Sequence, residues 1–198
     1  MGDLHRSYGD DMTRAPAAAP VGRGLAAFFV AASALFVCAG VADGAGTSSG
    51  SYLAPASACP GSVDRAAPPA VQKRAIACLV NWARREAGRR SLSTSRSLER
   101  AAVLKGRGVV SCGELSHSPC GSDPLAALQV SGYRYASFGE NLLLGSWGDV
   151  SAREVVAAWL QSPAHRANVF RAVFRNIGAA LVHRDDGAVW VATFGSPR

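Results

Sequence analysis

The chain predicts an α+β layered domain, on three observations. Helical periodicities fill the first two thirds of its C-terminal part, two apolar stretches joined by a tight-turn signal close it, and a hydrophobic content of 48% against 18% charged residues is enough for a real core. At 198 residues it is long enough for one domain with an appended segment, and too short for two full ones. The composition excludes disordered, collagen-like and polytopic membrane proteins. Twenty-one Lys and Arg against 14 Asp and Glu give +7, but the basic residues are scattered singly and in pairs with no aromatic interleaving. A nucleic-acid partner is therefore not expected.

Residues 1–45 read as an address. The run 25–42, LAAFFVAASALFVCAGVA, carries no charge, follows Arg14 and Arg23 and precedes Asp43. As a helix it would be ~27 Å long, which suits a secretory signal or a short anchor. The positive flank puts the C-terminal part outside, so the domain is expected to be secreted or membrane-anchored. A cleavage after Gly44 places Ala42 and Gly44 at the small-residue positions, with translation from Met12 shortening the leading segment. Cys38 follows Leu35, Phe36 and Val37, which lack the small residue a lipidated Cys needs, so it reads as part of the apolar run. Residues 46–69 are rich in Gly, Ser, Ala and Pro and read as a linker to a domain over 70–198.

Each element of that domain has a local reason. Ile76, Leu79, Val80 and Ala83 fall at i, i+3, i+4 and i+7, predicting a helix from Pro69 to Ala87 that ends at Gly88. Leu98, Ala101, Ala102 and Leu104 predict a second. A third is expected from Ser122, with Pro124 in its first turn, to Gly132. The fourth opens on Ser151-Ala-Arg-Glu154, a capping box, buries Val155, Ala158 and Trp159, and stops at Pro163. Ile177 to His183 and Ala188 to Phe194 form a hairpin around Arg184-Asp-Asp-Gly187, with Asp-Gly as the turn signal. Short strands are expected around Tyr133 to Leu144. Trp147, Trp159 and Trp190 read as core, and His183, near the hairpin tip, as solvated.

Cys59, Cys78, Cys112 and Cys120 are an even set downstream of an export signal and predict disulfides. Pairing Cys59 with Cys78 and Cys112 with Cys120 closes the shortest loops. A four-thiolate zinc site is the alternative, although no C-x-x-C pair is present.

Five motifs in order carry a resemblance: Ser116-His117; Gly139-Glu140-Asn141-Leu142; Trp159 through Ser162-Pro163-Ala-His165-Arg-Ala-Asn168; Phe174-Arg-Asn-Ile177-Gly178; and Trp190 through Phe194-Gly195. Together with Leu79-Val-Asn81 and Gly132-Tyr133, they resemble the CAP superfamily (cysteine-rich secretory, antigen 5 and pathogenesis-related 1 proteins), in its short bacterial branch, from Ala75 to the end. The resemblance implies a CAP-type α-β-α sandwich with a central groove lined by two His and two Glu. Here the motifs supply His117, Glu140 and His165. The position of the fourth residue falls on Ser162, and Glu154, nearby, is explained by its cap.

Two imidazoles and a carboxylate are a ligand set for a divalent ion, zinc or calcium, or the lining of a water-filled polar cleft. His165 falls at the third position of a short helix started by Ser162 and Pro163, where the partial positive charge favours the neutral ring. Glu140, beside Leu142 to Leu144, is part buried and needs a partner. Asn141 fixes backbone or lines the groove, with Ser162 and Tyr133 as further groove candidates and Tyr135 at its rim. No H-E-x-x-H, G-x-S-x-G or phosphate loop is present. Three functions are expected in this order: a non-enzymatic module holding a metal ion and a lipid or envelope ligand; a metal-assisted hydrolase with Glu140 as ligand or general base; and a surface interaction protein with a vestigial site. The membrane is a further partner if residues 25–42 stay uncleaved.

Overall fold

The computed structural model describes residues 52–146 and 150–198; the apolar segment 25–42, Cys38, the start of the expected linker and Trp147 lie outside the described residues. Helix α1 spans Pro69–Glu86, strand β1 Ser93–Thr94, α2 Arg96–Cys112, α3 Ala126–Ser131 and β2 Tyr135–Ser146. They are followed by α4 (Ala152–Gln161), α5 (Pro163–Phe170), β3 (Asn176–Arg184) and β4 (Gly187–Pro197). No helix among the described residues is long and apolar enough to cross a membrane.

The strands form one sheet in the order β1-β3-β4-β2, with β1 parallel to β3 and the other pairs antiparallel. Strand alternation divides the side chains between two helical layers. Ile177, Ala179, Trp190, Ala192 and Phe194 join the core built on α1, α4 and α5, whereas Ala180, Val189, Val191 and Leu142 pack against Ala102 and Val109 of α2. The result is an α-β-α sandwich, as the motifs imply. Because β4 is covered on both faces, its run Ala188–Phe194 is nearly all apolar, as expected of a doubly buried strand. Trp159 is 1% exposed and donates its indole N–H to the Leu142 carbonyl at 3.2 Å, so its polar atom is satisfied inside the core.

The helix signals hold, and four expectations are corrected. The capping box at Ser151 and Glu154 is formed, and α1 runs over the predicted residues. Helix α3, in contrast, starts only at Ala126, because the Asp123 carboxylate accepts from the Leu125 amide at 2.8 Å and folds Pro124 into a turn ahead of it. The expected short strands near Tyr133 are one twelve-residue strand, β2, paired along β4 from Tyr135 to Ser146. The hairpin turn is centred on Asp185 and Asp186, with Arg184 paired to Gly187. Gly187 serves close approach instead: a Cβ there would lie 2.3 Å from the Gly145 carbonyl oxygen of β2.

The fourth correction concerns the expected linker, which from Tyr52 onward belongs to the domain. Ala54 and Cys59 are fully buried in the α1–α4 core. The Tyr52 ring packs on Phe170 with centroids 5.0 Å apart, and the Arg153 side chain donates to the Ala54 carbonyl. A Cys59–Cys78 disulfide ties the segment to α1. The small residues that weaken a segment's own hydrophobic drive are the ones that fit against α1 and α4, and the cross-link reduces the entropy of ordering them.

Candidate functional site

Lys105 and His117 come from the two ends of one closed unit. Helix α2 buries Leu98, Ala101, Ala102, Lys105 and Val109 along one stripe and terminates at Gly113 in the left-handed conformation (φ 71°). The Cys112–Cys120 disulfide then closes a loop over 113–119 that carries His117. Inside that loop the Ser118 amide donates to Ser116 Oγ at 3.0 Å, and the Cys120 amide to Glu114 Oε1 at 2.8 Å. Both cysteine pairs are those that close the shortest loops.

Glu140 stands on β2, an edge strand of the sheet, opposite Thr193 of β4. Its side chain is 5% exposed, whereas the His117 side chain is 56% exposed. His117 Nδ1 donates to Glu140 Oε1 at 2.7 Å. The same carboxylate oxygen lies 3.7 Å from the Lys105 ammonium, which also donates to the His117 carbonyl and, at 3.2 Å, to that of Pro124. The buried carboxylate thus has a buried cation on one side and an exposed imidazole on the other.

His165, third in α5, is held through its main chain. The fully buried Asn141 donates to the His165 carbonyl at 3.1 Å and accepts from Asn168 Nδ2 at 2.9 Å; Asn168 also donates to the Glu140 carbonyl at 3.1 Å. This latch fixes α5 to the edge strand, and Asn141 therefore fixes backbone, with both ends of its amide used. The His165 pKa is lowered from its ordinary value by burial first and by the charge of His117 second, so the ring is neutral at pH 7. The helix terminus predicts the same neutral state; burial is its main cause.

The other candidates have partners of their own. The Tyr133 hydroxyl donates to Asn176 Oδ1 at 2.8 Å, and its ring packs with the Leu98, Ala101 and Leu128 cluster. Tyr135 packs beside Phe138 in the same cluster. Ser162 is the junction residue, ending α4 and opening α5. Glu154 accepts from the Ser151 amide and hydroxyl, both at 2.7 Å, and pairs with Arg65. Arg65 first and the Ser151 bonds second pull its pKa down to about 2. It is a cap, as its motif indicates.

Of the three expected ligands, His117 and Glu140 are hydrogen-bonded to each other. Among the described residues no three His, Cys, Asp or Glu side chains are gathered within reach of one ion. Glu140 Oε1 is already shared between the His117 ring and the Lys105 ammonium. Lys105 is the residue the motifs miss. Its signal is present in the sequence, since a lysine occupies i+7 from Leu98 and i+4 from Ala101 on an otherwise apolar helical stripe, in a chain with only two lysines.

Comparison with known proteins agrees with this architecture. The cysteine-rich secretory protein family, CAP, matches residues 78–194. The chain is 28% identical over 144 residues to the uncharacterized protein YkwD of Bacillus subtilis (strain 168), an alignment covering 71% of this chain and 54% of that protein. It therefore spans about half the length of the curated relative it matches. An extracellular protein containing an SCP domain from Bacillus anthracis superposes with a TM-score of 0.57 at 18% identity, over 64% of this chain and 41% of that one. An outer surface protein from Borrelia burgdorferi gives 0.56 at 20% identity, over 62% of this chain and 90% of that one. With the family matching well over half of the chain and the sandwich in place, the chain belongs to the CAP family of cysteine-rich secretory proteins.

Proposed function

We propose that this is an extracytoplasmic binding module whose recognition site lies at the β2 edge, with His117 and His165 as the groups that meet the ligand. The observation that carries the reading is the His117–Glu140 pair, an exposed imidazole oriented by a buried carboxylate. With its Nδ1 committed to Glu140, His117 leaves Nε2 for a ligand, and His165, whose pKa is lowered by burial, supplies a second ring. Such a pair suits hydroxyl and amide donors, the chemistry of envelope glycans, peptides and polar lipid headgroups. Export is supported by the two disulfides, by the apolar segment 25–42, and by the extracellular and outer-surface descriptions of the structural relatives.

A carboxylate-oriented imidazole is also half of an acid–base device, which keeps a hydrolase of the envelope as the second reading. Among the described residues, however, Glu140 is the side chain hydrogen-bonded to His117, and the Ser116 hydroxyl next to it serves its own turn. The binding reading expects soluble envelope glycan and peptide fragments to shift the ring resonances of His117 and His165 without being consumed. Turnover of those fragments, abolished in His117→Ala, would replace it by the hydrolase.

A further inference from the structure

Lys105 is 3% exposed, and a lysine is rarely buried so completely without partners that match its charge. Its ammonium has three donors and three acceptors within reach: the carbonyls of His117 and Pro124, and Glu140 Oε1. Two of these lie on the disulfide loop and the segment that follows it, and the third is the carboxylate that orients His117. We propose that Lys105 is the built-in cation of the cleft, a positioning and specificity-determining residue that commits Glu140 to orienting His117 and keeps divalent ions out.

The argument is one of occupancy and charge. An ion bound through Glu140 Oε1 would have to compete with His117 Nδ1, at 2.7 Å, and face the ammonium at 3.7 Å. A doubly charged ion bound to it would stand within about 6 Å of a fixed positive charge, close enough for strong like-charge repulsion in a water-poor site. Lys105 cannot swing away cheaply, because its stem is packed within the α2 stripe and its other two acceptors are main-chain atoms. In effect the ammonium does from inside what a metal ion would do from the cleft: it neutralises the carboxylate and holds the His117 loop. The site is thereby left selective for neutral hydrogen-bonding groups over cations. This deepens the binding-module reading and rests on the same cleft, but its test needs no envelope ligand.

The test is zinc titration followed through the ring resonances of His117 and His165, on the full domain with both disulfides intact. In wild type, equimolar zinc is expected to leave both rings unshifted. Lys105→Met removes the charge at similar length, and is expected to tighten zinc binding at the cleft by at least about tenfold, as freeing a carboxylate for a metal site does. Adding Glu140→Gln to it should abolish that gain. Lys105→Arg, which keeps the charge, should stay zinc-insensitive. Zinc shifts at His117 in wild type that are lost in Glu140→Gln would overturn the proposal, and so would a folded Lys105→Met variant that gains nothing. If Lys105→Met does not fold, the wild-type and Lys105→Arg titrations decide alone: unshifted rings in both support the built-in cation, and shifted rings in either overturn it. Failure of envelope fragments to bind would count against the binding module while leaving these zinc outcomes readable.

Discussion

Replacing Asn141 by Leu tests how the site is held together. The change keeps the branching and heavy-atom count of a fully buried side chain but removes two hydrogen bonds, to the His165 carbonyl at 3.1 Å and from Asn168 Nδ2 at 2.9 Å. Each such bond contributes about 1 kcal/mol net, and the added apolar contact offsets little of it because the partners left behind stay polar and part-buried. The expected loss is about 2 kcal/mol, or a fall in Tm of about 4–8 °C for a domain of this size. Asn141→Asp should be worse. It still accepts from Asn168, but it sets a carboxylate against the His165 carbonyl, where burying an uncompensated charge costs several kcal/mol. Thermal unfolding followed by circular dichroism gives the ranking directly: wild type above Leu above Asp. A Leu variant within about 0.5 kcal/mol of wild type, or an Asp variant equal to it, would refute the latch between α5 and β2.

Three further outcomes follow from single sites. Gly178→Ala should lower stability by about 3 kcal/mol or more and reduce soluble yield, because its Cβ would lie 2.2 Å from the main chain of Leu98 and Glu99 where α2 crosses β3; normal expression and melting would contradict that packing. Glu154→Gln should leave Tm within about 2 °C of wild type and ligand binding unchanged, since Gln also closes a capping box and the Arg65 pair is solvent-exposed and worth little. Loss of binding at unchanged Tm would instead put Glu154 in the cleft. His165 binds its proton less readily folded than unfolded, so its contribution is complete above the ordinary His value of ~6.5 and is lost as pH falls through the lower folded value. Wild type should therefore lose Tm more steeply than His165→Gln as pH falls below ~6.5, and parallel pH profiles would refute the shift.

Much of the fold was legible because its signals are local. The periodic stripe of α1, the Ser151–Glu154 box and the nearest-neighbour cysteine pairs each depend on a few adjacent residues and are formed as read. What was not legible depends on distant partners. Two-residue β1 exists only because it lies beside Asn176 and Ile177, and the segment from Tyr52 is ordered by α1, α4 and a disulfide. Asp-Gly suggested a turn centre, yet the register with β2 decides where Gly187 must sit. In the site, the motifs named His117, Glu140 and His165 but could not show that Glu140 already has a cation, because Lys105 lies outside them and reaches the carboxylate only through the α2–sheet packing. Polar residues on apolar stripes, such as Lys105, and likewise the fully buried Arg84 of α1, which donates to the carbonyls of Arg90 and Val169, are the clues to read first.

The measurement that bears most directly on the function is calorimetric titration of soluble envelope glycan and peptide fragments into wild type, His117→Ala and His165→Ala, with the fragments recovered and analysed afterwards. The binding-module account predicts a saturable heat in wild type, a loss of about tenfold or more in affinity in either variant at unchanged fold, and fragments returned intact. Equal binding by all three proteins, no binding by wild type, or cleaved fragments would contradict it.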